Sequence, residues 1–374
     1  MKIEVFPVSN IRDLRQFIRF PWQIYQSYLN WVPPLLSEMR KTFDRTRFPF
    51  FEHSEAQFYL ARRRGELVGR IVAIKNNNHL QVYQDATGFF GFFESIDDQA
   101  VADALFKRAE EWLAARELHK IRGPENYSQN EDCGLLVDAF DLPPVIMMPY
   151  NPPYYQRLIE KAGFSKAIDL YAYTIEQAES IPAMLTQVAH DIQATADFTI
   201  RPVDLKHLEA EIPRLKAVYN AAWSENWGAV PFTDSEINYL KEALKKIALP
   251  DMNFIAEMHG VPIGVSVTVP DLNELLIGLN GRLLPFGFVR LLTGMKKIRG
   301  VRVLIMGVVK EYRHKGIDLL FYYETFKNGL QHGFKKGEMS WILENNLPMI
   351  KALEKIPGVR RYKTYRLYEK TIRC

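Results

Sequence analysis

The chain carries the same order of residues twice, and that repetition restricts its fold more than any other feature. Val5-Phe6-Pro7-Val8 returns as Ile200-Arg201-Pro202-Val203. Ala61, Gly65 and Gly69 return as Ala256, Gly260 and Gly264, and Asn151, Pro153, Leu158 and Gly163 return as Asn346, Pro348, Leu353 and Gly358. The spacing is 195 in each case, as 202 less 7 or 358 less 163. A length of 374 residues holds two cores comfortably. Two copies of one fold in tandem is therefore the simplest reading. Function is expected where the copies differ.

Each copy reads as strand, helices, hairpin, strand, helix, strand, helix, strand. That order makes an α/β chain with mixed, mostly antiparallel sheets flanked by helices. In the first copy, strands are predicted at 2–8, 58–61, 68–74, 87–93, 120–123 and 170–174, with helices at 10–30, 97–116 and 154–163. A helical connector spans 178–196, so the domains are expected at 1–177 and 197–374. The second copy repeats the order, with strands at 198–203, 253–257, 263–269, 301–309 and 338–343. Its helices fall at 205–222, 233–248 and 317–329. Two stretches break the symmetry. Residues 123–153 form a long irregular run rich in Pro and aromatic residues, of the kind compact domains reserve for function. Residues 281–300 form an insert with Leu284, Phe288, Leu291, Leu292 and Met295 at helical spacing.

The composition excludes several classes. Apolar residues at 47% and charged residues at 25% belong to a globular protein. Aromatics at 13% predict large clefts or interfaces lined by rings. A net charge of +4 permits an anionic ligand without implying nucleic acid. Cys133 and Cys374 cannot build a disulfide scaffold, so a reduced, cytoplasmic setting is expected. Charges interrupt every apolar run before residue 30, unlike a secretory leader. No run of about 18 uncharged apolar residues is present to span a membrane. The histidines are scattered without metal-ligand spacing, so no metal is expected. Gly-x-Ser-x-Gly, phosphate-loop and dinucleotide fingerprints are absent.

One segment of the second copy carries chemistry. Val301 to Val309 is apolar and β-branched, and it is followed by Lys310-Glu311-Tyr312-Arg313-His314-Lys315-Gly316-Ile317-Asp318 and a helix. Strand, basic Gly turn and helix start make an anion site, because free N–H groups converge at the helix N-terminus and the dipole adds positive potential. Arg313-x-x-Gly316 after Val308-Val309 resembles motif A of the GNAT acyltransferases. The order of elements in both copies is similar to that superfamily over nearly the whole chain. The resemblance implies two tandem GNAT-like domains. It also implies an acyl-coenzyme A cosubstrate, acetyl or longer, whose diphosphate is held by Arg313, His314, Lys315, Gly316, Ile317 and Asp318. Asp318 departs from the family's small residue and would repel a diphosphate, unless it only stabilises its helix start. The first copy has Glu94-Ser95-Ile96-Asp97-Asp98 at the matching place, acidic and without Gly, so that domain is read as having lost the cosubstrate.

The same resemblance assigns further roles. Backbone N–H groups of Val308 and Val309 would hold the oxyanion of acyl transfer. Glu344 is the candidate base, and Asn346 would touch the pantetheine arm. The tyrosine that usually serves as acid is not evident, because Glu354 and Ile159 occupy its place. An amine acceptor would meet Trp223, Glu225, Asn226 and Trp227, with Tyr150, Asn151 and Tyr154 as first-copy counterparts whose plainer role is packing. The insert bears Arg282, Arg290, Lys296, Lys297, Arg299 and Arg302 without an acid, and reads as a packed lid or as a peripheral contact with the inner face of a membrane. The first expectation is an acyl-coenzyme A-dependent transfer to a primary amine. A long-chain transfer to a lipid or sphingoid amine at the membrane surface is the second, and a non-catalytic binding protein of the same fold is the third.

Overall fold

The computed structural model describes residues 2–177, 179–285 and 287–372. Cys374 lies outside them, and Cys133 is buried and forms no disulfide among the described residues. The strands are β1 (Glu4–Pro7), β2 (Glu55–Arg63), β3 (Glu66–Lys75), β4 (Thr87–Ser95), β5 (Lys120–Gly123), β6 (Leu135–Leu136), β7 (Ser165–Ile175), β8 (Thr199–Pro202), β9 (Asn253–Met258), β10 (Val261–Pro270), β11 (Gly300–Val308), β12 (Lys336–Leu343) and β13 (Val359–Thr371). Two compact units are interleaved along the chain. The first comprises residues up to Leu170, Leu275–Thr293 and the segment from Lys363; the second comprises Tyr171–Glu274 and Gly294–Tyr362.

In the first unit, β1 to β5 lie in sequence order, with β13 beside β5 and β7 beyond it. The helix Gln99–Ala114 starts where Asp98 accepts a hydrogen bond from the Ala100 N–H, and it buries Val101, Leu105, Phe106 and Leu113. Many of the abundant aromatics pack together inside this unit. Tyr127 stacks on Phe50 at 4.7 Å and meets Phe48 and Phe92 at 5.1 Å, while Phe43 meets Phe92 at 4.8 Å. All are buried. The helix predicted over 10–30 stops at Arg19, because Pro21 lacks the N–H needed to continue it and opens a separate turn, Pro21–Ile24.

In the second unit, β12, β11, β10, β9 and β8 lie side by side. The predicted connector is the helix Ala183–Thr195, and it belongs to this unit. Its Ala189 is buried with Ile317, Leu320 and Phe321 of the helix Ile317–Gln331. The insert contains the helix Gly287–Gly294 and is counted with the first unit up to Thr293. There the Gly281 carbonyl accepts from the Leu36 N–H at 3.0 Å, and the Trp22 indole donates to Asn280 at 2.7 Å.

The repeat persists at the level of strand register. Ala61 faces both Val5 and Gly69, and Ala256 faces both Ile200 and Gly264. Both hairpins turn through a left-handed pair, Arg64-Gly65 and His259-Gly260. Gly69 faces Ser95, whereas Gly264 faces Val308, so the spacing there is 213, as 308 less 95. The second copy has gained residues before β11, and the first copy regains as many after β5. The constant spacing of 195 outside this region comes from two insertions that cancel.

Candidate active site

The site forms where β11 parts from β12. These parallel strands pair only from Gly300–Val303 to Lys336–Met339, and β11 bulges at Leu304, since Val267 faces Ile305 while Thr268 faces Val303. A bulge bends and twists its strand, which opens the pair further. At the end of β11, the Val309 N–H donates to the Ile263 carbonyl at 2.9 Å. Bonded and non-bonded residues alternate along an antiparallel pair, so Val308 turns its N–H away from β10 and toward the open side. Of the two expected oxyanion donors, Val308 keeps its N–H and Val309 has spent it.

The basic turn follows at once. Lys310–Lys315 is a 3-10 turn, Gly316 has φ +76°, and the helix Ile317–Gln331 begins behind it. The left-handed backbone at Gly316 favours glycine, and a Cβ there would stand 2.5 Å from Ile192 Cδ1. Arg313 donates to the Val308 carbonyl at 3.2 Å and to the Ala222 carbonyl at 2.9 Å. Lys315 pairs with Asp197 at 2.6 Å and holds that carboxyl below its usual range. His314 is exposed, while Ile317 is fully buried core. Asp318 sits in the first turn of the helix. Burial pushes its carboxyl above the ordinary range, and the N–H groups of Leu319 and of Asp318 itself act the other way. The carboxyl therefore draws on the N–H groups that a bound diphosphate would use.

Several expected acceptor residues gather at the same place. The Trp223 indole lies against Gly307 of β11 and stacks on Tyr219 at 4.5 Å. Glu225 pairs with Lys310 at 2.6 Å, which lowers its carboxyl. The Asn226 N–H donates to the Trp223 carbonyl at 2.9 Å, and Trp227 is half-buried beside it. Glu344 leaves the end of β12 half-buried. Asn346 caps the helix Leu347–Glu354, accepting from the Met349 N–H at 3.4 Å. Glu354 accepts from the Tyr173 hydroxyl at 3.2 Å.

The first unit opens its equivalent strands and then closes the gap. β4 and β5 pair only from Thr87–Phe89 to Lys120–Arg122. The loop after β5 enters beyond that point. The Glu125 N–H donates to the Phe90 carbonyl and Asn126 accepts from the Phe92 N–H, each at 2.8 Å. Gly91 is pressed against the Glu125 carbonyl, where a Cβ would collide. The three first-copy acceptor candidates are committed to holding this loop region. Tyr150 donates to the Phe140 carbonyl at 2.8 Å and Tyr154 to the Ser95 carbonyl at 2.7 Å. Asn151 accepts from the Leu136 N–H and donates to the Leu136 and Pro152 carbonyls, so its amide is used up.

Two buried constellations carry no sequence motif. Glu94, on β4, accepts from the Tyr155 hydroxyl at 2.7 Å and pairs with Arg70 at 3.5 Å, and Arg70 donates to the Phe17 carbonyl at 2.7 Å. Burial raises the Glu94 carboxyl, and Arg70 opposes that rise. β4 thus carries a fully engaged acid, whereas β11 carries none. In the second unit, Arg302 faces Glu338 across β11 and β12 and donates to Ser340 Oγ at 3.0 Å, while Ser340 donates to Glu338 at 2.5 Å. Arg302 is buried in this network, which removes it from the basic surface expected of the insert. Only their alternation along strands hints at either group.

No family model matches the chain. It is 35% identical over 377 residues to the bacterial ceramide synthase of Caulobacter vibrioides, covering 99% of this chain and 98% of that protein. It is 37% identical over 369 residues to protein YghO of Escherichia coli K12, covering 97% and 94%. The chain belongs to the family of these two proteins. Its fold is that of the GNAT N-acetyltransferases. A tandem GNAT protein from the clavulanic acid biosynthesis pathway superposes with a TM-score of 0.60 over 100% of this chain and 99% of that chain, at 11% identity. A GCN5-related N-acetyltransferase from Anabaena variabilis gives 0.54 over 100% and 73%, also at 11% identity. Among the described residues of this family member, no group of three or more His, Cys, Asp or Glu could hold a metal ion, and no helix is long and apolar enough to cross a membrane.

Proposed function

We propose that the chain is an N-acyltransferase that moves a long acyl group from a coenzyme A thioester to a lipid amine of the sphingoid class. The carrying observation is the opening of β11 from β12 directly before the Gly316 turn, in a chain 35% identical to a protein named a ceramide synthase. A ceramide is an N-acylated sphingoid base, so amide formation on an amine is the chemistry in common. The amine nitrogen attacks the thioester carbonyl, the C–N bond forms, the C–S bond breaks, and the amine proton is passed on, finally to the thiolate. In this reading the Val308 N–H steadies the oxyanion, at about 3 kcal/mol for such a donor. The N–H groups at the start of the helix Ile317–Gln331, with Lys315 and Arg313, hold the diphosphate. Trp223 and Trp227 flank the acceptor, Glu344 serves as base and Asn346 borders the pantetheine arm.

The insert supports the lipid side of this reading. Leu284 is 80% exposed and Leu292 63%, with Phe288 and Val289 also bare. Arg282 and Arg290 belong to the same segment of the first unit, and both are exposed. Bare apolar side chains on a segment that also carries cations suit the headgroup boundary of an anionic bilayer. The expected result is sedimentation with anionic vesicles, lost when Leu284, Phe288 and Leu292 become Ser; equal pelleting would remove the insert from membrane binding.

The test of function is direct. The purified chain is incubated with palmitoyl-coenzyme A and sphinganine, with thiol release and amide product followed together. Thiol release matched by N-palmitoyl product is expected, with little from acetyl-coenzyme A. If neither thioester is consumed, the non-catalytic reading of the fold takes over.

A further inference from the structure

The loop that closes the first unit's strand opening is held by backbone hydrogen bonds. The Asn126 N–H donates to the Asp132 carbonyl and the Gly134 N–H to the Pro124 carbonyl, each at 2.9 Å, and Glu125 bridges Cys133. Asn76 donates to the Tyr127 carbonyl at 3.1 Å. Two side chains in this well-held loop nevertheless keep polar atoms without a hydrogen bond. Glu125 is 3% exposed and Gln129 5% exposed. Glu125 Oε2 and both polar atoms of the Gln129 amide are buried without a hydrogen bond. A buried polar atom left unpaired costs about 1–3 kcal/mol, and three of them lie within five residues of one rigid loop. Such a cluster reads as half of an interaction whose other half is a ligand.

We propose that the first unit holds the polar head of an amino alcohol here, its ammonium on the Glu125 carboxylate and its neighbouring hydroxyl on the Gln129 amide. The chemistry selects that class. A lone carboxylate and a neutral amide make a poor metal cage, and a carboxylate repels phosphates. An ammonium supplies the donors that Glu125 Oε2 and the amide oxygen need. An adjacent hydroxyl takes the amide N–H, which a plain amine cannot do. Glu125 lies two residues beyond β5 and Glu344 one residue beyond β12, so each copy carries an acid just past the strand at its opening. The charged group that acts on Glu125 is Arg122 on β5, itself paired with Glu369 at 3.1 Å. Gly91 on β4 and Cys133 across the bridge add no charge. The assignment rests on the reading that the chain uses an amine.

Titration of the full chain with serinol, and with glycerol as the isostere lacking the amine, tests it by calorimetry. Serinol should bind at least about tenfold more tightly than glycerol. The Glu125 carboxyl is pushed up to about 8 by burial, so ammonium binding should release close to one proton near pH 7 and little above pH 9. Glu125→Gln should abolish both the preference and the proton release. Gln129→Met should weaken serinol several-fold while raising the melting temperature, which reports on the site even if the first variant folds poorly. Equal binding of serinol and glycerol, or an unchanged preference in Glu125→Gln, overturns the site. Acylation that proceeds without serinol binding overturns the site alone, and serinol binding without any acylation overturns the transfer reading alone.

Discussion

Asp318 meets two demands that pull apart. As the first-turn acid of the helix Ile317–Gln331 it complements the dipole, which is worth about 0.3–1 kcal/mol. As a carboxylate at an anion site it repels a diphosphate, by about 1 kcal/mol for two unit charges about 4 Å apart in a water-like dielectric. Asp318→Ala is therefore expected to tighten coenzyme A about fivefold without lowering stability, because burial outweighs the helix-start N–H groups at this carboxyl. Calorimetry and melting on the same samples separate the effects, and unchanged affinity would mean that the carboxyl points away from the phosphates. Glu125 makes a prediction of the opposite kind. Its folded carboxyl, raised to about 8, keeps a proton that the unfolded chain has already lost. Its contribution to stability is fully present below the ordinary carboxylate range and is lost as pH rises through about 8. Glu125→Gln should flatten the fall in unfolding free energy over that window, a change on the order of 4 kcal/mol seen by urea titration at several pH values.

The helix Ala183–Thr195 lies over the basic turn through Ile192, and that contact couples two elements the sequence reading kept apart. Gly316→Ala should cost about 1–3 kcal/mol, from the left-handed backbone and from the collision with Ile192. Adding Ile192→Ala should relieve the collision but leave the backbone cost, so the double variant melts above the sum of the singles. Strict additivity would mean that the helix does not press on the turn. Much of this element was legible beforehand. Apolar runs and Gly signals located β2, β3, β5, β10 and β11 to within a few residues, and Arg313-x-x-Gly316 located the turn. The packing partner was not legible, because helical spacing in 183–195 says which face is apolar and not what it covers. The buried roles of Glu94, Glu125 and Arg302 were not legible, for a related reason. Each is a single charged residue in or beside an apolar strand, and its meaning depends on cross-strand neighbours that no local pattern names. Asn151 and Tyr150 stay ambiguous in the sequence, because aromatic and amide groups in a Pro-rich run look alike whether they bind a ligand or hold the run together.

The interleaving of the two units sets how the chain can be cut. Lys363–Thr371 of β13 is part of the first unit, where Tyr368 faces Gly123, Tyr365 faces Leu136 and Arg366 pairs with Asp169 at 2.7 Å. Tyr365, Leu367 and Tyr368 are fully buried. Removing three such side chains forfeits about 1.5–3 kcal/mol each, besides the ladder they belong to, against a typical total of 5–15 kcal/mol. The second unit keeps every residue up to Tyr362 and loses none of its own strand contacts with the Gly316 turn. A chain ending at Tyr362 should therefore lose protection from proteolysis and hydrogen exchange over residues 2–170 and keep it over β8 to β12. If the Gly316 turn binds thioester as proposed, coenzyme A should still protect that second set and leave the first exposed. Adding a peptide of residues 363–374 should restore the first unit, since the missing strand pairs by backbone and buried rings alone. Equal protection of residues 2–170 with and without the last strand would show that β5 and β7 hold without it, and that the repeat is closed within each copy after all.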